Sequence, residues 1–283
     1  MKYLLIDLSY FVFYRYFALI NYLKCSHTLE KNAKEFYIND EFRTRFGTIF
    51  EKTILGLLQT HFGKWNKDEN GEIVDIMVIF GKDCERSTIW RNEYFPEYKC
   101  NRDENRNCLF DGNIFDYVYE TIIPSLLEKY SFMKICCSDR AEADDVIAIA
   151  VSVINMVSKY SKIIIITNDH DYLQLLDDVD GIFNLRGVNL RTKACKGCAK
   201  NNVISKVLQG DPSDNIKGLV SKKKAMMLLS QFSTPEETEA CFLESATEIQ
   251  REHYSLNKRL ICFSNIPNDI YEDIKNVIFM TIC

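Results

Sequence analysis

Lys162-Ile-Ile-Ile-Ile-Thr-Asn-Asp-His-Asp171 places four consecutive β-branched residues directly before two carboxylates. An unalternating run of this kind fits a strand buried on both faces, as in a parallel sheet. In an open parallel sheet the carboxyl ends of the strands share one edge, where ligands bind. Asp169 and Asp171 are therefore predicted to lie at that edge.

The same pattern recurs outward from this run. Tyr3-Leu-Leu-Ile6 is a short apolar strand ending at Asp7, Ile73 to Phe80 is another leading to Asp83, and Phe132 to Cys136 is a third. Ser138 and Asp139 can cap a helix whose first turn holds Glu142, Asp144 and Asp145, with Val146, Ile149, Ala150, Val153 and Ile154 on its buried face. Helices are predicted over Tyr10 to Leu23, about Phe42 to Phe62 and about Phe115 to Lys129, with 24 to 39 as a loop and Ile182 to Leu185 as a further strand. From about Asn201 the pattern is wholly helical. The order indicates an α/β sheet domain followed by a helical region.

Residues 84 to 112 are charged and mixed in sign, with little apolar periodicity, and read as a mobile excursion from the core. The chain has 283 residues, 47% of them hydrophobic, and a net charge of −5. Ten basic residues against two acids between Arg186 and Lys224 make a local basic stretch, whereas 225 to 283 carries nine acids against four bases. Such a stretch suits a phosphate backbone. Asp7 and Arg15 interrupt the apolar N-terminal run, so a membrane span is not expected. Eleven cysteines without a paired framework point to free thiols in a reducing cytoplasm. Cys195-Lys-Gly-Cys198 lacks the second pair that a structural zinc site needs.

Five acidic clusters thus converge in prospect: Asp7, Asp83, Glu142 with Asp144 and Asp145, Asp169 with Asp171, and Asp211 with Asp214. A helix N-terminus explains one or two acids at 142 to 145, but not all three together with the strand-end acids. Carboxylates crowded in one crevice repel each other, and a divalent cation relieves the repulsion. Hard oxygen donors suit Mg²⁺ or Mn²⁺, and paired ions are used to cleave phosphodiesters. A metal-dependent nuclease is the function these residues support. His170, lying between two such acids, is expected to face away, because hard ions prefer oxygen.

Leu4-Leu-Ile-Asp7, Glu142-Ala-Asp-Asp145, Thr167-Asn-Asp-His-Asp171 and Gly210-Asp-Pro-Ser-Asp-Asn215 occur in an order and spacing that resemble the flap endonuclease and 5′-to-3′ exonuclease family over residues 3 to 220. Asp83-Cys-Glu-Arg-Ser-Thr-Ile-Trp-Arg91, Tyr98-Lys-Cys-Asn-Arg102 and Leu260-Ile-Cys-Phe-Ser-Asn-Ile-Pro267 extend the likeness across almost the whole chain, toward the RNase H group of T4-type bacteriophages. The resemblance implies a PIN-like nuclease core over 1–199, with an arch at about 84–112, and a helical, helix-turn-helix-like DNA-binding region over 200–283.

By position it implies that Asp7, Asp83, Glu142 and Asp144 hold a first Mg²⁺ or Mn²⁺, and that Asp145, Asp169 and Asp171 hold a second. Asp211 and Asp214 lie farther out, acting through water or shaping the turn that receives duplex DNA. Lys99 matches the family's arch lysine, placed over the scissile phosphate. Arg91, Arg102 and Arg106 are candidates for guiding the 5′ strand, and Tyr98 for stacking on a base. Gly218-Leu-Val-Ser-Lys-Lys-Lys224 lacks the later glycines that hold potassium in many relatives, but Ser221 can begin a helix whose amides, with Lys222, Lys223 and Lys224, attract phosphate.

The implied activity is removal of RNA primers from RNA·DNA hybrids and trimming of duplex or flapped DNA 5′ ends by a cytoplasmic monomer. Contacts with a single-strand-binding protein and a sliding clamp are family expectations. A catalytically silent DNA-structure-binding protein is the alternative, and its mark would be a missing core acid. None is missing. A haloacid-dehalogenase phosphatase needs a second acid two residues after the first, where this chain has Ser9.

Overall fold

The computed structural model describes residues 1–25, 40–102 and 110–282. Five parallel strands form one sheet in the order β3-β2-β1-β4-β5, with β1 Lys2–Asp7, β2 Ile76–Gly81, β3 Met133–Cys136, β4 Lys162–Ile166 and β5 Gly181–Phe183. The chain runs outward from β1 to β3, then crosses back to β4 on the other side of β1. The direction of winding therefore reverses between β1 and β4, the place where an open sheet forms a crevice. Asp7 and Asp169 lie at that reversal.

Successive side chains of a strand face opposite ways, and both faces here are apolar. Leu4, Ile6, Val78, Phe80, Ile164 and Ile166 pack beneath α1 (Leu8–Cys25), α2 (Asp40–Phe62) and the continuous helical run formed by α3 (Ile114–Tyr117), a π turn (Val118–Ile122) and α4 (Ile123–Lys129). Tyr3, Leu5, Ile79, Ile163, Ile165 and Ile182 pack beneath α5 (Ala143–Val157) and α10 (Asn268–Ile282). The second strand begins at Ile76 rather than Ile73, which instead forms an antiparallel bridge to Lys67.

A third core gathers α6 (Ala199–Gln209), α7 (Lys222–Gln231), α8 (Pro235–Ser245) and α9 (Glu248–Ile261), and it includes Ile89 and Tyr98 from the excursion after β2. Two expectations are corrected here. The segment 84 to 102 is not loose: it forms three short 3₁₀ turns pinned by the fully buried Trp90. A boundary at 199/200 does not separate two cores either, because Ile270, Ile274 and Ile278 of α10 return to the sheet. No helix among the described residues is long and apolar enough to cross a membrane.

Candidate active site

A cleft of about 1040 Å³ opens along the carboxyl ends of β1, β2 and β4. Asp7, Asp83, Glu142, Asp144 and Asp169 line it, together with Lys99 and Arg102. Five of the nine predicted acids thus share one cavity.

Local hydrogen bonds aim these carboxylates. Asp7 accepts from the Tyr10 amide at 3.0 Å, in the first turn of α1, and from the Thr167 hydroxyl at 3.0 Å, just past β4. Asp83 accepts from the Ala143 amide at 2.8 Å and from the Ser9 hydroxyl. That contact depends on Gly81: a Cβ there would lie 2.8 Å from Ile147 and 3.0 Å from the Ala143 carbonyl, so glycine lets the start of α5 sit against the end of β2. Asp169 accepts from the Asp171 amide at 2.9 Å.

Repulsion in the cleft is visible in the proton affinities. Burial, followed by the neighbouring Asp83 charge, pushes Asp7 up to about 7. Burial also raises Asp83, and burial with the adjacent Asp145 holds Asp144 well above the usual carboxylate range. Glu142 behaves oppositely. Burial pushes it upward, but the Lys99 ammonium and Arg91 guanidinium outweigh that and hold it at about 2. A set of oxygen donors that resist ionisation until a positive charge arrives suits a hard divalent cation. Asp7, Asp83 and Asp144 fit that role, with Asp169 and Glu142 lining the cleft beside them.

The acids expected to share a second ion are not brought to one face. Asp145 is fully buried below the cleft: its oxygens accept from Arg91 Nη1 and Nη2, each at 2.7 Å, from Trp90 Nε1 at 2.9 Å and from the Glu142 amide at 3.2 Å. It is an anchor for the start of α5, with both oxygens committed. Asp171 pairs with Lys206, which also meets Asp211 at 2.7 Å. Asp214 accepts from Arg102 Nη2 at 2.5 Å and lies 3.7 Å from Lys99 Nζ.

Two expected nucleic-acid contacts are also corrected. Arg91 is only 2% exposed, bound to Asp145, to Glu142 at 3.0 Å and to the Leu260 carbonyl at 2.7 Å. The Tyr98 hydroxyl lies buried 3.0 Å from both Glu142 and Asp214, so its ring is not presented for stacking. Lys99 does line the cleft. Its backbone takes a left-handed φ of 57°, held by the hydrogen bond its N–H donates to the Asp214 carbonyl at 3.1 Å, and its ammonium meets Glu142. Arg102 lines the cleft half-exposed, whereas Arg106 falls outside the described residues. Ser221 caps α7, accepting from the Lys224 amide at 3.3 Å, and Lys222, Lys223 and Lys224 are exposed beside it.

Sequence reading missed the opposite wall of the cleft, where Tyr10, Phe13, Phe17, Phe110 and Phe115 stand. Phe13 and Phe110 have ring centroids 4.3 Å apart, and Phe13 is substantially exposed. The helical spacing of Phe13 and Phe17 on α1 reads equally well as core, so only the fold separates the two.

Sheet order, winding reversal and acid-lined cleft together define a parallel α/β domain built around an acidic crevice. The model of the 5′-3′ exonuclease N-terminal, resolvase-like domain matches residues 2–207, and the chain belongs to that family. The 5′-3′ exonuclease of Buchnera aphidicola subsp. Schizaphis graminum is 29% identical over 188 residues, covering 64% of this chain and 60% of that protein. The chain therefore spans less than two thirds of that relative's length. Ribonuclease H of Enterobacteria phage T4 is 25% identical over 212 residues, covering 70% of this chain and 68% of that protein. In fold the chain is similar to the T5 D15 protein co-crystallised with metal ions, with a TM-score of 0.66 at 16% identity over the full length of both.

Proposed function

We propose that this chain is a divalent-metal-dependent 5′ nuclease that removes RNA primers from RNA·DNA hybrids and trims duplex or flapped DNA from 5′ ends. The observation that carries the reading is the convergence of Asp7, Asp83, Asp144 and Asp169, from three strand ends and one helix start, into the cleft beside Lys99. The name of the T4 relative, Ribonuclease H, supports the RNA side of the activity, and that of the Buchnera relative, 5′-3′ exonuclease, supports cutting from 5′ ends.

When bound, Mg²⁺ or Mn²⁺ supplies Lewis-acid charge to the phosphate and makes water acidic enough to attack it. Asp7, Asp83, Asp144 and Asp169 would hold the ion. Lys99 points a fixed positive charge into the same cleft, where it stabilises charge building on the phosphate oxygens. Arg102, half-exposed at the rim of the same cleft, is placed to guide the 5′ strand by its phosphates. The aromatic wall offers faces on which unpaired bases of the 5′ strand stack. The α6–turn–α7 unit, with Gly210 at a φ of 71° opening the turn, acts as a helix-turn-helix-like duplex grip through the Ser221-capped helix start and its lysines. The duplex lies over α7 while the 5′ end enters the cleft.

Product mapping tests the reading. A 5′-labelled flap and a 5′-recessed RNA·DNA hybrid are incubated with the protein in Mg²⁺ or EDTA. Short 5′ products that need Mg²⁺ are expected, their lengths separating stepwise from flap cutting. Tight binding of both substrates without cleavage, in Mg²⁺ or Mn²⁺, favours the silent structure-binding protein instead.

A further inference from the structure

Outside the cleft, the chain supplies its own cation to the outer acids. The ligand oxygens of Asp171, Asp211 and Asp214 lie within 4.8 Å of one another, yet each already faces a positive side chain. Lys206 Nζ bridges Asp171 and Asp211, at 2.7 Å from the latter. Asp214 is taken by Arg102 at 2.5 Å and Lys99 at 3.7 Å. Lys99 divides its charge between Asp214 and Glu142, so Lys206 and Arg102 are the cations committed to these three carboxylates, and they offset most of the field that a divalent ion would otherwise meet.

The cleft acids differ. Among the described residues, Asp7 and Asp83 accept only from neutral amides and hydroxyls, and no ion pair engages Asp144 or Asp169. Lys206 is also held in reach. It projects from α6, whose neighbouring Val207 and Leu208 are fully buried in the helical core, so its ammonium acts at high effective concentration. Asp211 agrees with this picture: burial pushes its carboxyl upward, but Lys206 outweighs burial and holds it below the usual range.

Resting on the metal-dependent reading above, we propose that Lys206 is a built-in cation at the Asp171–Asp211 pair. The protein then holds one divalent ion tightly, in the cleft, and a second binds the outer acids only by displacing the ammonium. Lys206 thereby supplies, as a side chain, part of the positive charge that a second metal would bring to the crevice.

Mn²⁺ titration followed by electron paramagnetic resonance and calorimetry tests this on the full chain, comparing wild type with Lys206→Met and Lys206→Arg. Wild type and Lys206→Arg are expected to bind one tight ion. Lys206→Met is expected to gain a second whose affinity exceeds that of any second wild-type site by about tenfold or more. If Lys206→Met melts prematurely, Lys206→Gln gives the same readout with a polar side chain. Two comparable sites in wild type, or no gain in a folded neutral variant, overturn the proposal alone. No bound ion at all in wild type overturns it together with the metal-dependent reading.

Discussion

Arg91 grips both oxygens of Asp145 at 2.7 Å, fully buried beneath the cleft, and the same guanidinium reaches Glu142 at 3.0 Å. One side chain thus ties the excursion after β2 to the first turn of α5, where Glu142 and Asp144 face the cleft. A bidentate pair of this kind fixes geometry as well as adding energy.

Removing one partner leaves the other charge buried without compensation. Arg91→Ala or Asp145→Asn is therefore expected to cost about 3 to 5 kcal/mol of stability, because the stranded group keeps its desolvation penalty. Chemical denaturation checks this. A loss under about 1 kcal/mol, the range of an exposed pair, would show that Arg91 and Asp145 are not the clamp described here.

Lys99→Met is expected to lower the single-turnover cleavage rate by about 10²- to 10³-fold, as for loss of one preorganised charge at a reacting phosphate. Substrate affinity should change far less, since Lys222, Lys223 and Lys224 remain. Rate and affinity falling in equal proportion would assign Lys99 to binding.

In the metal-free protein, Asp7 at about 7 binds its proton more tightly than in the unfolded chain, where the carboxyl has its ordinary value of 3.8. Its stabilising contribution is complete below that ordinary value and is lost as pH rises through about 7. Thermal stability in EDTA should therefore fall between about pH 5 and about pH 7.5, while the increase in Tm on adding Mg²⁺ grows over the same range. Glu142, held at about 2, acts in the opposite sense and only in acid, where its contribution is lost as pH falls from 4.5 through 2. Asp7→Asn should flatten the EDTA profile and weaken the metal response. An EDTA profile that rises with pH in wild type would contradict the account.

Replacing Lys222, Lys223 and Lys224 together by Gln should weaken DNA binding and reduce the slope of log affinity against log salt by about 2 to 3, close to one for each phosphate that no longer meets a lysine. Cleavage at saturating enzyme should be unchanged. An unaltered slope would mean that α7 does not meet the duplex.

Much of this site was legible from strand ends. Ile163 to Ile166 and Tyr3 to Ile6 announce buried parallel strands, and a carboxylate after such a strand falls at the crevice regardless of loop detail. What stayed hidden was the division of labour among the acids. Asp144 and Asp145 are adjacent in sequence, yet the step of about 100° between neighbouring helical residues sends the first to the cleft and the second to Arg91. Charge alone made Arg91 look like a DNA contact. The neighbouring Trp90 was the available signal, because so large an apolar side chain rarely stays in solvent and its burial carries Arg91 inward with it. Lys206 gave no sign within the basic stretch, since its partners, Asp171 and Asp211, meet it only through the packing of α6.

The pairing of Asp145 with Arg91 also decides which acid tests catalysis. Asp144 lines the cleft and makes no ion pair among the described residues, so Asp144→Asn removes a proposed cation ligand without undoing the clamp. The most direct measurement is single-turnover cleavage of a 5′-flap substrate in Mg²⁺ by wild type and Asp144→Asn, with thermal melting and substrate binding in Ca²⁺ measured alongside. The account expects a rate reduced by about 10³-fold or more, equivalent to roughly 4 kcal/mol of transition-state stabilisation, with folding and binding retained. Cleavage by the folded variant at the wild-type rate would contradict it.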